Sequence, residues 1–247
     1  MKADPQALAK LLDVQELDSR MDLLRHQLEH LPEAAELAEL QHRHRETDDR
    51  ARDLRIAVDD LTREQKKADA DVEQVKARRK RDLDRIDQGL IANPKDLERM
   101  QLELVSLERR ITSLEDTELD VMEGLETAQR ELDGLDGELA ELNGRVETVT
   151  GDLAEKSGSL HQQMAETGEV RKQVAADLPE PLLTLYERLR ERSGGVGAAA
   201  LRARRCSGCR LELTAADLGA IAKAPADEVL RCEECNRILV RTSESGI

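Results

Sequence analysis

The sequence predicts a mainly α-helical protein, with a long antiparallel coiled-coil hairpin followed by a small C-terminal zinc ribbon of short β-strands and one short helix. Three observations lead to this fold class: apolar residues at heptad spacing through most of the chain, a near absence of aromatic residues, and four cysteines confined to the last 42 of the 247 residues. Phe and Trp are absent and Tyr186 is the only tyrosine. A large core anchored by buried rings, as in most enzymes, is therefore not expected, whereas a long helical assembly needs no rings.

The strongest apolar pattern begins at Leu97 and continues to Leu160 in steps that alternate between three and four residues. Only Glu118 and Lys156 interrupt it. A 3.5-residue period sustained over about nine heptads predicts a left-handed supercoil against another helix. Residues 37–86 have the same period with several polar members, so they predict a weaker partner helix upstream.

Two breaks divide the helical region. The heptad phase slips at Pro32, which removes a helical hydrogen bond and disfavours helix at the preceding residue, so we predict a kink near residue 32. Gly89 and Asn93 are suited to ending a helix and Pro94 to opening the next, so we predict a hairpin tip near residues 89–95. The predicted hairpin covers residues 1–176.

The C-terminal third is predicted to contain a connecting segment and a separate domain. Residues 177–197 form a short amphipathic helix over 182–189 and a flexible glycine-rich linker over 193–197. Residues 198–247 form the ribbon, with strands expected at 199–205, 229–231 and 238–241. A helix over 214–221 begins at Thr214 with a capping box.

The cysteines form two C-x2-C pairs separated by 22 residues, a spacing that predicts one tetrahedral site for a structural Zn²⁺ with no open coordination position. The predicted ligands are Cys206, Cys209, Cys232 and Cys235. Two redox dithiols or two disulfides are the competing interpretations. Gly208 and Asn236 are expected to form the turns with positive φ. Neighbouring arginines are expected to offset the thiolate charge; they are Arg205, Arg210, Arg231 and Arg237.

The formal net charge of −15 argues against global attraction to nucleic acid. Residues 186–210 nevertheless contain seven arginines and two glutamates. This segment either compensates the acidic remainder of the protein or contacts an acidic partner or nucleic acid. The candidate contact residues in the ribbon are Arg202, Arg204, Arg205 and Arg210, and those at the hairpin tip are Asn93, Pro94 and Lys95.

The sequence gives no support for catalysis, because no nucleophile has a recognisable base and neither a P-loop nor a dinucleotide fingerprint is present. His26 and His30 lie four residues apart, but without further ligands we interpret them as solvated side chains. No apolar run reaches the length of a membrane span and the N-terminus does not resemble a signal peptide. We therefore expect a cytoplasmic protein without a membrane partner, either a monomer or a weak dimer.

A coiled-coil hairpin followed by a four-cysteine ribbon resembles the bacterial C4-type zinc-ribbon family formerly described as a domain of unknown function. The similarity is recognisable in residues 93–97 at the tip, 182–189 before the linker and 232–239 at the second cysteine pair. The resemblance implies a zinc-binding protein of a family often described as nucleic-acid binding. It also implies that some members, in flagellated or secreting bacteria, are adaptors for an RNA-polymerase sigma factor and export machinery.

Two functions follow as expectations. The first is a non-enzymatic adaptor or scaffold that docks protein partners through the coiled-coil hairpin and the zinc ribbon. The alternative is a regulatory protein that binds RNA or DNA through the basic ribbon.

Overall fold

The computed structural model describes all 247 residues, Met1–Ile247, and confirms the predicted fold class. Long helices form a hairpin, and a small strand-rich region with a short helix follows. The elements in chain order are α1 (Pro5–Glu29), α2 (Pro32–Asp87), α3 (Pro94–Ala176), α4 (Glu180–Arg192), β1 (Ala198–Arg202), β2 (Arg205–Cys206), α5 (Ala215–Lys223), β3 (Leu230–Arg231) and β4 (Ile238–Arg241). The chain divides into two compact units. Unit 1 comprises Met1–Ala34 and Gly151–Ile247, and unit 2 comprises Ala35–Thr150. None of the helices is long and apolar enough to cross a membrane.

The breaks between the long helices occur at residues that cannot continue them. His30 caps the end of α1 and donates its backbone N–H to the Gln27 carbonyl, and Pro32 then occupies the first position of α2. Proline is tolerated there because the first helical N–H groups have no intrahelical partner. At the other end of α2, Gly89 has φ +66° and Leu90 donates its N–H to the Arg85 carbonyl, as in a Schellman cap.

In unit 2, α2 and α3 pack against each other through small apolar clusters. One joins Leu40 to Leu142 and Val149, and another joins Ala51 to Leu132 and Leu139. Ion pairs also join α2 to α3 along their length. They are Arg43–Glu138, Arg55–Asp136, Lys76–Glu115, Arg78–Glu103, Arg79–Glu108 and Arg145–Glu36. Each exposed pair contributes at most about 1 kcal/mol, so we assign them mainly to register and orientation.

Glu118 and Lys156, the two residues that interrupt the apolar pattern of α3, each have a polar partner within their own unit. In unit 2, burial and then a hydrogen bond with Asp69 raise the pKa of the Glu118 carboxyl. In unit 1, Lys156 pairs with Glu33. The hydrogen bond with Glu33 raises the pKa of Lys156, and the same contact lowers the pKa of Glu33. The interruptions are therefore paired polar sites.

In unit 1, a four-stranded sheet packs against α1 and α4. The strand order is β2-β1-β4-β3, with β1 parallel to β4 and the other two pairs antiparallel. The apolar core between the sheet and the helices is centred on fully buried side chains. They include Leu11, Val14, Leu182, Tyr186 and Ile238. The only tyrosine of the chain therefore lies at this junction.

A buried carboxylate fastens the helices of unit 1. Asp18 is 4% exposed and accepts hydrogen bonds from Tyr186 Oη at 2.7 Å and from Arg171 Nε at 3.0 Å. Arg190 Nε lies 3.5 Å from the same carboxylate. One carboxylate of α1 thus links α3 and α4.

Residues 193–197 are a fixed connection, and the expectation of a flexible linker is wrong. The Gln15 side-chain oxygen accepts hydrogen bonds from the N–H groups of Gly197 at 2.7 Å and Ala198 at 3.3 Å. Arg237 donates to the carbonyls of Ser193 and Val196. The glycines serve close packing as well as turning, because a Cβ at Gly197 would lie 2.6 Å from the Tyr186 carbonyl oxygen.

The N-terminal residues extend the edge of the ribbon. Ala3 donates its N–H to the Asp227 carbonyl at 2.7 Å, and Val229 donates to the Met1 carbonyl at 3.1 Å. Lys2 pairs with Asp227 at 2.9 Å. These contacts join the first three residues to a segment more than 220 residues away, and no sequence pattern predicts them.

The predicted strand over 199–205 is two strands. The chain turns at Ala203 and Arg204, whose φ angles are +44° and +68°, and β2 returns antiparallel to β1. The predicted capping box is confirmed, with Thr214 and Asp217 bonding each other's backbone at the start of α5.

Replacing exposed helical glycines should stabilise the hairpin. Gly137 and Gly144 lie in α3 with no atom within 4 Å of a Cβ built on them, so G137A and G144A should each add about 0.5–1 kcal/mol. Thermal unfolding followed by circular dichroism measures the change. G197A is the contrasting variant and should lower the midpoint, because its methyl group meets the Tyr186 carbonyl. A lower midpoint for G137A would show that this face of α3 is packed.

Removing the Asp18 charge should destabilise unit 1. D18N leaves two guanidinium groups without their buried carboxylate, a change that typically costs about 3–5 kcal/mol. Arg171 and Arg190 keep side-chain exposures of 22% and 27%, so solvent should hold the loss to about 3 kcal/mol. Denaturant unfolding measures it. The exposed Asp13, which makes no ion pair, supplies the control D13N, and equal effects of the two variants would contradict the assignment.

Candidate metal centre and partner surfaces

The two cysteine pairs lie on turns of the same geometry. In the first, Arg210 N–H donates to the Cys206 carbonyl at 2.8 Å, and in the second, Asn236 N–H donates to the Cys232 carbonyl at 2.8 Å. The residue after each second cysteine has positive φ, +62° for Arg210 and +60° for Asn236. Each turn also directs two backbone N–H groups at the sulfur of its first cysteine.

Gly208 has a different role from the one predicted. It is not among the residues with positive φ, and Arg210 adopts that conformation in its place. A Cβ at Gly208 would lie 2.7 Å from Arg237 Cδ and 3.0 Å from Ala199 Cβ. The glycine is therefore needed for close packing beneath the side chain of Arg237.

The four thiols converge on one point. All four sulfur atoms lie within 4.8 Å of one another, and the Cys206–Cys235 and Cys209–Cys232 sulfur pairs are each 3.9 Å apart. A tetrahedral ion with Zn–S bonds of about 2.3 Å has S···S edges of about 3.8 Å, so the geometry fits Zn²⁺. The cluster is the site of one structural Zn²⁺, with every coordination position supplied by the protein.

The environments of the thiols differ. Burial raises the pKa of Cys206, and it raises the pKa of Cys232 to about 12. Burial acts in the same direction on Cys235, but hydrogen bonds from the backbone and side chain of Arg237, then from neighbouring thiols, lower its pKa to about 7. Arg237 is thus the arginine that stabilises a thiolate from inside the site.

The four arginines proposed as partner contacts fall into two pairs. Arg202 lies 3.2 Å from Glu244 and Arg205 lies 3.6 Å from Glu212, so each has an acidic neighbour. Arg204 and Arg210 are exposed and have no carboxylate within 4 Å. The sequence alone could not distinguish the arginines that have acidic neighbours from those that do not, because the acidic residues lie on other segments.

The backbone around Arg204 is fixed. Ala203 and Arg204 occupy the left-handed region, which costs roughly 1–2 kcal/mol for each residue with a Cβ. The C-terminal segment holds this turn, with Ala203 N–H donating to the Glu244 carbonyl and Arg204 N–H to the Ser245 carbonyl. The Arg204 side chain is therefore presented on a rigid turn.

The tip residues have mixed roles. The Asn93 side-chain oxygen accepts the Lys95 N–H at 3.1 Å, so Asn93 caps α3, and Pro94 is the first residue of that helix. Lys95 is exposed and makes no ion pair. Leu90 and Leu102 also lie near the tip, are 65% and 66% exposed, and were not among the residues predicted to contact a partner. Their positions outside the heptad pattern were the available signal.

Replacing Arg237 should weaken zinc binding. R237K retains the charge but cannot bond both carbonyls and the thiolate at once. We therefore expect zinc affinity to fall by about 10–100-fold, the usual effect of losing a hydrogen-bond partner of a metal ligand. Competition with a chromophoric chelator measures the dissociation constant. R202K, at an exposed position that pairs with Glu244, should leave it unchanged. Equal affinities for R237K and the unaltered protein would refute this role.

Comparisons with known proteins identify relatives along nearly the whole chain. An uncharacterized protein of Mycobacterium tuberculosis strain H37Rv is 35% identical over 248 residues, which cover 98% of each chain. A solved structure from Mycobacterium smegmatis is 31% identical and matches with a TM-score of 0.82, covering 98% of this chain and all of that one.

A more distant structure has the same fold. CT398 from Chlamydia trachomatis matches with a TM-score of 0.67 at 20% identity, covering 96% of this chain and 98% of that one. The family model of the CT398-like coiled-coil hairpin domain matches residues 14–194, and that of the C4-type zinc ribbon domain matches residues 205–239. This chain therefore belongs to the family of CT398-like coiled-coil hairpin proteins with a C4-type zinc ribbon.

Proposed function

We propose that this protein is a non-enzymatic, zinc-binding adaptor that docks protein partners through its coiled-coil hairpin and its zinc ribbon. The observation that carries the proposal is the presence of three exposed apolar side chains near the hairpin tip. Leu90, Leu102 and Val105 are 65%, 66% and 52% exposed. An apolar side chain exposed on a helical surface gains free energy when a partner covers it.

The metal site and the two domain families support a binding role. The metal site is closed by four protein ligands, so its zinc has no position for a substrate. The two matching family models describe a coiled-coil hairpin and a zinc ribbon, and neither describes an enzyme.

Capture from native cell extract tests the adaptor proposal. The zinc-loaded full chain should retain specific proteins after nuclease treatment, and L90S/L102S should lose those that dock at the tip. Leu119 lies on α3 with Leu102, is 56% exposed and is distant in sequence from the tip, so L119S is the control. Equal capture by all three proteins would exclude the tip as the docking surface.

A second candidate function is binding of RNA or DNA through the ribbon. The specific observation in its favour is that Arg204 and Arg210 are exposed, lack ion pairs and lie on turns with positive φ. Such side chains can contact phosphates without first breaking an internal ion pair.

Charge reversal distinguishes this function from protein docking. If the ribbon binds nucleic acid, R204E/R210E should abolish binding, and neutral substitution of either arginine should reduce the salt-dependence slope by about 1. R202E/R205E is the control with the same change in formal charge at the two arginines that already have acidic neighbours. Equal loss in both double variants would indicate a general charge effect, and unchanged binding in R204E/R210E would reject this site.

A further inference from the structure

A cavity of about 480 Å³ lies where α1 ends, entirely within unit 1. Its walls combine aliphatic side chains with nitrogen and hydroxyl groups. The lining residues are His26, Gln27, His30, Leu31, Pro32, Lys156, Ser159 and Leu160. Concave sites with a few converging polar groups are the usual positions of ligands. None of these residues belongs to the cysteine site.

Two imidazoles lie side by side in this cavity. His26 and His30 are four residues apart, and their ring centroids are separated by 4.1 Å with an angle of 43° between the planes. Both side chains are exposed, as the sequence analysis expected. Because a zinc-type ion lies only about 2.0–2.1 Å from an imidazole nitrogen, rings this close can reach a single ion.

One of the two rings is already oriented as a ligand. His30 Nδ1 lies 2.8 Å from the His26 carbonyl oxygen, which can only accept a hydrogen bond. The neutral ring must therefore carry its proton on Nδ1, which leaves the lone pair of Nε2 available. Histidines that bind metals usually donate their other ring N–H to a carbonyl or carboxylate in this way.

The surrounding charges favour a cation. The C-terminal end of a helix carries partial negative charge, and His30 is the cap residue of α1. The charge of Lys156 is compensated by Glu33, and Arg25 pairs with Asp22, a carboxylate that it shares with Arg190. Glu29 is exposed beside His30 and makes no ion pair.

We propose that His26 and His30 bind a divalent transition-metal ion of the imidazole-preferring class, such as Ni²⁺ or Zn²⁺. The two ring nitrogens supply two ligands, and water completes the coordination shell. This site differs from the cysteine centre in donor type and in having open coordination positions. It lies outside the adaptor and nucleic-acid surfaces and does not depend on either proposed function.

A bound ion would join the last turn of α1 to its cap residue. The ion binds both rings only when the last turn of α1 and its cap residue His30 are folded, so binding favours the folded helix end. An ion that binds the folded state alone raises the unfolding temperature as its concentration rises.

Titration of the zinc-loaded full chain with Ni²⁺ tests the proposal by calorimetry. The unaltered protein should take up one Ni²⁺ without releasing zinc. H26A and H30A should each bind it at least about 10-fold more weakly, because loss of a ligand costs no less than the roughly 10-fold typical for loss of a ligand's hydrogen-bond partner. His161 provides the matched control, because its Nδ1 bonds the Ser157 carbonyl at 2.8 Å but it has no second histidine four residues away. H161A should bind Ni²⁺ normally.

Thermal unfolding with and without Ni²⁺ gives an independent readout. Nickel should raise the midpoint of the unaltered protein and of H161A, and leave that of H26A unchanged. Because both histidines are exposed, the variants should retain the helical signal of the unaltered protein. Absence of nickel uptake, equal loss in H161A, or uptake that persists in H26A with release of zinc would each overturn the proposal.

Discussion

Coordination of one Zn²⁺ by four cysteines is the constraint on which unit 1 depends. The ribbon has no aromatic residue, and its own apolar core is a small cluster in which Cys206 and Cys232 are themselves members. A structural zinc supplies roughly 10–16 kcal/mol of apparent binding free energy to folding, far more than such a cluster can. The sheet that the metal holds together then offers Ile238 and Val240 to α1 and α4. The only tyrosine and the buried Asp18 lie at that contact, so the metal also fixes the position of the helices around them.

Stability in unit 2 has a different origin. Its apolar clusters are small, its ion pairs are exposed, and α3 contains glycines at solvent-facing positions that no neighbouring atom requires. Helices of this composition gain stability mainly from pairing along their length, since each helix alone is only marginally favoured in water. The apolar side chains of Leu90 and Leu102 can therefore remain exposed, because the stability of the hairpin does not depend on burying them. The acidic and basic partners along α2 and α3 set the register instead of supplying much free energy.

The sequence predicted a structural feature correctly where the residues that determine it are close together in the chain. Heptad spacing predicted the long helices, the C-x2-C pairs predicted the zinc site, and Thr214 with Asp217 predicted the start of α5. It failed where the partner is distant in the chain. Gln15 turns the glycine-rich 193–197 segment into a fixed connection, and the pairing of Met1 to Ala3 with residues 227–229 has no periodic pattern. Gly208 was assigned a conformational role because glycine allows positive φ, whereas packing against Arg237 is what requires it.

Some arginines of the ribbon pair with a cysteine thiolate or a nearby carboxylate, and others remain unpaired at the surface. Thiolate compensation was one explanation for the basic segment, and it predicts that arginines beside the cysteines turn towards the sulfur atoms. Arg237 does so and lowers the pKa of Cys235, while Arg231 bonds the Asn236 carbonyl and Arg205 has Glu212 beside it. Arg204 and Arg210 have no such internal partner. The positive φ of Arg210 belongs to the first cysteine turn, as that of Asn236 belongs to the second, and the positive φ of Arg204 belongs to the turn between β1 and β2. Because both turns are required by the fold, the structure leaves these two guanidinium groups exposed with no carboxylate of the chain within 4 Å.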